Sequence, residues 1–269
     1  MERITENVYV ETLYPGCNTS FVVTTDGVVV IDTPMVPEQA KQWVAEAEKH
    51  GPVVYVINNE PHPDHIAGDC WFPGKLISHE DSRPAMMNVR KEQLEGQLQW
   101  MAPDALPLDK DFYFRLPDIT FSEKLTIYLG DHTFRIFSAP GHTASETAVY
   151  VPEERVLFTS DNVIQGMPIM FQAVPDAWLD SLKLFQQMDL DKVVPGHGEV
   201  CDKAYLQVMY DNVKYCIDTV KDAIDKGWSL EEIQEKVTFA ERFPPMGPGD
   251  PMAPMRHESI ARIYEVLRK

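Results

Sequence analysis

The sequence predicts an α/β (α+β) protein whose strands end in loops bearing imidazoles and carboxylates, with a helical segment at its C-terminal end. Three observations predict it. Strand-like apolar runs flank one amphipathic helical pattern between residues 7 and 57. Four strand-like runs lead into His, Asp or Glu. After Asp161 the apolar spacing becomes that of helices.

Residues 7–32 read as strands, with Phe21–Thr25 and Val28–Ile31 joined as a hairpin at Asp26-Gly27, a strong short turn signal. Residues 37–50 read as a helix with Ala40, Trp43, Val44 and Ala47 on its apolar face and Gly51 as its stop. Val53–Ile57 is a continuous apolar run, as in a strand covered on both faces. Lys75–Ser78 is a further strand, and residues 82–101 read as one helix. Hairpins follow around Gly130-Asp131 and Glu153-Glu154. Asp176 and Asp202 are natural N-caps for helices running to Met188 and about Lys226. Ser229 and Glu232 make a capping box, and residues 258–268 form a last amphipathic helix. The Pro- and Gly-rich stretch from Phe243 to Pro251 excludes regular structure. The division expected is a catalytic domain over residues 1–200 with a helical segment, 201–269, packed on it.

The stretch Asn59-Glu60-Pro61-His62-Pro63-Asp64-His65 carries the most chemistry. Glu60, His62 and Asp64 alternate, which places them on one side of an extended strand end. His65 then points elsewhere, so one short loop can feed two metal ions. A lone His-X-Asp-His is as readily a polar connection. Three more pieces turn the balance: Ala139-Pro140-Gly141-His142-Thr143, Thr159-Ser160-Asp161-Asn162 and Val194-Pro195-Gly196-His197-Gly198-Glu199. Two of them set Pro-Gly before the His, a sharp turn after a strand. Imidazoles and carboxylates without thiolates suit Zn, Mn or Fe.

The order of these four motifs resembles the metallo-β-lactamase superfamily of binuclear metallohydrolases, whose first motif is HxHxDH. Glu60 stands where that motif has its first His. The resemblance runs from about Tyr9 to Glu199. It implies a four-layer αβ/βα sandwich with the site at the strand ends. It further implies that Glu60, His62 and His142 hold one cation, that Asp64, His65 and His197 hold the other, and that Asp161 bridges them, with Asp32 supporting the site from beneath. The activity implied is that of a metal-dependent hydrolase using a metal-bridging hydroxide on a small organic ester, lactone, thioester or amide. Asp64 would double as the catalytic acid/base that takes the proton released in turnover. Two other readings stay open: a di-iron, O2-dependent oxygenase or redox enzyme on the same fold, and a non-catalytic metal- or ligand-binding protein. Carboxylate-richer versions of the site occur in the superfamily's flavodiiron proteins and in a di-iron hydroxylase.

Glu60 bears on the cations. Three carboxylates leave two divalent ions a net charge of about +1 before hydroxide binds, where a His at position 60 would leave about +2. The first site becomes harder, which favours Mn or Fe, while Zn accepts Glu readily.

The chain of 269 residues has a net charge of −18, which argues against nucleic acid or an anionic membrane as partner, since both need basic surface. The partner expected is a small-molecule substrate. Its C-terminal helices could serve as cap, lid or dimer contact, so a homo-oligomer stays open. Cys17, Cys70, Cys201 and Cys216 show no metal-type pairing. The first residues lack the pattern of a secretion signal, and no apolar run approaches a membrane span, so a cytoplasmic location is expected. The apolar loop from Gln165 to Pro175 follows Asp161, so Met167, Met170 and Phe171 are candidate walls of a substrate pocket. Arg83 and Arg90 are candidate anchors for a substrate carboxylate. Glu146 reads either as an orienting partner of a ligand or as a surface strand residue, and His79 as a strand-end residue.

Overall fold

Successive residues of one central strand face two different cores. In the computed structural model, which describes residues 1–244 and 252–268, Val29 and Ile31 point to one side of their sheet and Val28 and Val30 to the other. This period of two is what a strand imposes. A strand apolar on both faces must be covered on both, and that requirement sets the layers.

The first sheet has seven strands in sequential order: β1 (Glu2–Arg3), β2 (Val8–Glu11), β3 (Thr19–Thr24), β4 (Gly27–Ile31), β5 (Val53–Ile57), β6 (Lys75–His79) and β7 (Ile119–Phe121). Strands β1 to β4 pair antiparallel, and β4 to β7 pair parallel. Helix α1 (Pro37–Ala47) makes the crossover that parallel pairing of β4 with β5 requires. Its Ala40 and Trp43 join Phe21, Val28, Val30, Val56 and Leu76 in the outer core. The second sheet runs β12-β11-β10-β9-β8, from β8 (Lys124–Leu129), β9 (His132–Ser138), β10 (Thr147–Val151), β11 (Val156–Ile164) and β12 (Lys192–His197).

Between the sheets lie Val29, Ile31, Ile57 and Ile77 from one side and Phe134, Ile136, Val149, Phe158 and Val194 from the other. Outside the second sheet, Ala148, Leu157 and Val193 meet the helices α5 (Pro175–Gln187), α6 (Tyr205–Asp225) and α8 (Ala253–Leu267). The result is the αβ/βα arrangement of four layers. Val213, Ile260 and Ile263, from the segment after residue 200, share this outer core with Trp178, Leu182 and Phe185.

Several expected elements differ in detail. The helix expected over residues 82–101 is two, α3 (Ser82–Asn88) and α4 (Lys91–Met101), counting the single turn α2 (Pro63–Ile66) before them. Val89 and Arg90 are extended, and the Arg90 N–H donates to Gln93 Oε1 as the start of a new helix. Asp176 is not an N-cap. Pro175 takes the first helical position, and Val174 precedes it. Asp202 instead accepts a hydrogen bond from the Ala204 N–H one step before α6 begins. The capping box of Ser229 and Glu232 forms as expected and opens α7 (Leu230–Lys236). The last helix starts at Ala253, five residues before its expected start at Glu258. Most of the Pro- and Gly-rich stretch, residues 245–251, lies outside the described residues. Cys17, Cys70, Cys201 and Cys216 are all free thiols, and no helix among the described residues is long and apolar enough to cross a membrane.

Because the C-terminal helices share one core with the second sheet, they should not unfold by themselves. Leu182 is fully buried in that core, so Leu182→Ala should cost about 2–5 kcal/mol. Urea unfolding should show one transition, with near-UV and far-UV circular dichroism coincident. A separate early loss of helix would show the segment to be independent.

Candidate metal centre

The strands deliver their polar residues to one end of the sandwich. β4 ends at Asp32, β5 leads into Asn58, Asn59 and Glu60, β9 leads to His142, β11 carries Ser160 and Asp161, and β12 ends at His197. The register of β11 against β12 shifts on both sides of Ser160. Such an irregularity re-aims a side chain, here that of Asp161. Gly196 faces Asp161 so closely that a Cβ there would lie 1.9 Å from Asp161 Oδ1. Gly141 has the same relation to Asn162, whose Oδ1 would meet a Cβ at 2.0 Å. The glycines of the two Pro-Gly-His turns are thus required by close approach. Asn162 accepts from the His142 backbone N–H at 3.0 Å and donates to the Ala139 carbonyl, which fixes that turn.

The first motif departs from the expected strand end. Glu60 already lies in a bend, His62 is extended, and Pro63 starts the single helical turn α2, which carries Asp64 and His65. Proline's fixed φ favours that first helical position. The turn, not strand alternation, therefore sets the directions of Asp64 and His65.

All seven expected ligands converge. Atoms of Glu60, His62 and His142 lie within 4.8 Å of one another, as do atoms of Asp64, His65 and His197, and atoms of Glu60, His65 and Asp161. Glu60 Oε2 is 2.5 Å from His62 Nδ1, and Glu60 Oε1 is 3.0 Å from His65 Nε2. Asp161 Oδ1 is 3.3 Å from His197 Nε2 and 3.4 Å from His65 Nε2. Asp64 Oδ2 is 3.4 Å from His197 Nε2.

Second partners fix the rings. His142 Nδ1–H donates to the Ile169 carbonyl at 2.8 Å, so its Nε2 is the bare nitrogen of the neutral ring. His65 Nδ1 faces Asp32 Oδ2 at 3.2 Å and Ser160 Oγ at 3.1 Å, which turns Nε2 toward the cluster. Asp32 also accepts from the Asn59 N–H, and Ser160 Oγ donates to it. Both Asp32 and Ser160 have positive φ, 51° and 47°, a strained backbone held at the point where the ligands are aimed.

The electrostatics state what the cluster needs. Burial pushes the Asp161 carboxyl up, but His197 and His65 outweigh it and hold it well below the carboxylate range. Burial pulls the His62 imidazolium down, yet Glu60 outweighs that and raises the ring to about 9. His197 is raised in the same way, by Asp161 above all, to about 10. These carboxylates demand positive charge, which divalent cations supply more fully than protons. Both oxygens of Glu60, His65 Nε2 and Asp161 Oδ1 are buried without a hydrogen-bond partner. Orphaned donors facing one another are costly unless a cation joins them, so the residues fit a metal pair.

A cavity of about 550 Å³ opens over the cluster. His62, Asp64, His142, Asp161 and His197 form its floor, and Met167, Ile169, Phe171, Trp100, Met101 and Phe243 give it apolar walls. Phe171 lies against both His62 and His142. Met170, expected beside it, is fully buried in the helical core, and its backbone N–H bonds to Ser259. Neighbours in this loop face opposite ways, so Met167 and Phe171 reach the cavity and Met170 does not. Arg83 and Arg90 do not line it either. Arg83 contacts Met87, and Arg90 begins α4; the guanidinium groups at the cavity belong to Arg242 and Arg256.

Glu146 is buried and accepts from Thr143 Oγ1, and burial followed by Glu60 and Asp161 pushes its carboxyl well above the usual range. His79 bonds to the Ser122 carbonyl, away from the cluster. Sequence reasoning missed Cys17, buried against His65, because nothing in its spacing ties it to a motif fifty residues on. It also missed the walls contributed by α4, whose apolar residues read as an ordinary helix face, while the C-terminal segment, one of whose expected roles was a lid, borders the cavity through Thr238, Arg242 and Phe243.

Residues 15–197 match the family model described as Metallo-beta-lactamase superfamily. Among curated relatives, the Beta-lactamase-like protein 2 homolog of Caenorhabditis elegans is 22% identical over 198 residues, covering 72% of this chain and 59% of that protein. The 2,4-dinitroanisole O-demethylase subunit alpha of Nocardioides sp. (strain JS1661) is 26% identical over 234 residues, covering 82% of this chain and 65% of that protein. The chain thus spans under two thirds of the length of either. Among solved structures, a stereoselective inverting sec-alkylsulfatase from Pseudomonas sp. has a TM-score of 0.77 at 16% identity. The similarity covers 98% of this chain and 49% of that one, and it shows a shared fold that includes the C-terminal helices.

The contact between Gly196 and Asp161 can be tested directly. Gly196→Ala should push the Asp161 carboxylate out of place and reduce bound metal from two ions per chain to one or fewer by elemental analysis. Far-UV circular dichroism should stay that of the parent. A full complement of two ions in the variant would show that Asp161 has room to move.

Proposed function

Since the chain belongs to the metallo-beta-lactamase superfamily, we propose that it is a binuclear metal-dependent hydrolase of a small organic substrate with an apolar or aromatic body. The bond cleaved is an ester, lactone, thioester or amide. One observation carries the reading: ring nitrogens and buried carboxylates converge at the floor of an apolar cavity open to solvent.

Glu60, His62, His142, Asp64, His65, His197 and Asp161 would hold two divalent cations, with Mn or Fe favoured by the carboxylates and Zn accepted. When bound, such a pair lowers the pKa of a water and polarises the acyl oxygen of a substrate. The chain's own groups do the rest. Asp64 borders both the cluster and the cavity, so its carboxylate can take the proton released as water adds and return it to the leaving group. Asp32 and Ser160 keep His65 oriented, and the Ile169 carbonyl does the same for His142. Phe171, Met167 and Ile169 exclude water from one side of the bound substrate, and Trp100 and Met101 from another.

The Glu at position 60 favours a second reading, a di-iron enzyme that uses O2, because a carboxylate hardens the site toward iron. The two readings part on the source of oxygen. The Mn-loaded protein should turn over esters or lactones under strict anaerobiosis, with 18O from labelled water in the product. Label from O2, or activity confined to the iron form in air, would establish the second reading in its place.

Two substitutions test the assigned roles. Asp64→Asn should lower kcat by about 10²–10⁴-fold while the fold persists, and near-normal turnover would remove Asp64 from proton transfer. Phe171→Ala should raise KM for the best ester about tenfold with metal content unchanged. A change in thermal stability alone would make Phe171 a packing residue.

A further inference from the structure

The two oxygens of Glu60 face different groups of ligands. Oε2 lies 2.5 Å from His62 Nδ1 and 3.9 Å from His142 Nε2. Oε1 lies 3.0 Å from His65 Nε2, and His65 groups with Glu60 and Asp161 as a further set of converging donors. We infer that Glu60 is a second bridging carboxylate, one oxygen to each cation, so that Glu60 and Asp161 together join the pair. The inference rests on the binuclear reading above and assigns Glu60 a role that a His at this position could not take, since an imidazole offers one nitrogen to the cluster.

The simpler role is a terminal ligand of the first cation through Oε2 alone. That would strand Oε1, which is fully buried and has no hydrogen-bond partner among the described residues. An unpartnered buried carboxylate oxygen is costly. Its nearest basic neighbour is His65, whose Nδ1 is turned to Asp32 and whose Nε2 is turned to Glu60. At 3.0 Å, Glu60 Oε1 and His65 Nε2 are spaced as two ligands of one cation would be, with bonds of about 2.0–2.2 Å. Asp161 stands on the other flank of the same His65 nitrogen, at 3.4 Å. The donors around Nε2 are therefore the set that a shared ion would gather. The backbone supports this placement. The Asn59 N–H is tied to Asp32 and the Asn59 carbonyl accepts from Thr147, so Glu60 enters the cluster from a fixed point.

A carboxylate that serves both cations links their binding. Holding the first ion orients Glu60 for the second, so uptake should be paired and not stepwise. The site then takes a hard pair such as Mn or Fe as one unit.

Manganese titration of the metal-free full-length protein, followed by electron paramagnetic resonance, tests the inference. Below one equivalent of Mn(II), the bound signal of the parent should already be that of a spin-coupled pair. In Glu60→Asp, one methylene shorter, and in Glu60→Gln, the first equivalent should give an uncoupled six-line signal. The second ion should then bind at least about tenfold more weakly, the equivalent of about 1.4 kcal/mol. An uncoupled first equivalent in the parent would overturn the bridging role and leave the hydrolase reading intact. Paired uptake retained in both variants would do the same. A parent that binds no manganese, iron or zinc would overturn both.

Discussion

Glu60 and Asp161 carry negative charge into a place with almost no access to water, and the rest of the structure makes that tolerable. A buried carboxylate without compensation would take up a proton or reject the fold. Here the compensation is arranged as imidazole nitrogens at 2.5–3.4 Å, with the rings of His65 and His142 oriented by partners on the outer side. Asp32, the partner of His65, is itself held at a strand end by the backbone of Ile57 and Asn59. The orientation of the His65 and His142 rings is thus set by the protein itself.

That arrangement has a structural cost. Asp32 and Ser160 both adopt a left-handed backbone, worth about 1–3 kcal/mol of strain each. Gly196 and Gly141 give up side chains so that Asp161 and Asn162 can approach. The irregular pairing of β11 with β12 interrupts an otherwise regular ladder. These defects cluster at one end of the sandwich, while the inter-sheet core of Val, Ile and Phe remains regular. The stable layers supply the free energy that the strained end consumes.

The cavity above the cluster is made differently. Its floor comes from strand ends, but its walls come from the loop after β11, from α4 and from the C-terminal segment. Three stretches distant in sequence meet there, and the shared helical core holds the last of them in place. A chain of net charge −18 sets Arg242 and Arg256 at this mouth. The floor and the walls therefore sit on separate parts of the fold, strand ends and the turn after β5 for the one and helices and loops for the other.

The sequence by itself carried the α/β class and, through its resemblance to a known family, the four-layer arrangement and the candidate ligands. Period-two apolar runs and Pro-Gly-His turns are local signals, and backbone geometry forces them to mean strand ends. The order of the four motifs then named Glu60, His62, Asp64, His65, His142, Asp161 and His197. It could not show that Pro63 turns Asp64 and His65 on a helical step, because the alternation of ligand types imitates a strand. Nor could it separate Met170 from Met167 and Phe171, since burial of a loop residue depends on what packs over it, here α8 through Ser259. The split of the helix at Val89 and the walls from α4 belong to the same class. Only tertiary structure decided that the two oxygens of Glu60 look toward different ligand groups, because that depends on where His65 stands once Asp32, 33 residues earlier in the chain, has fixed its ring.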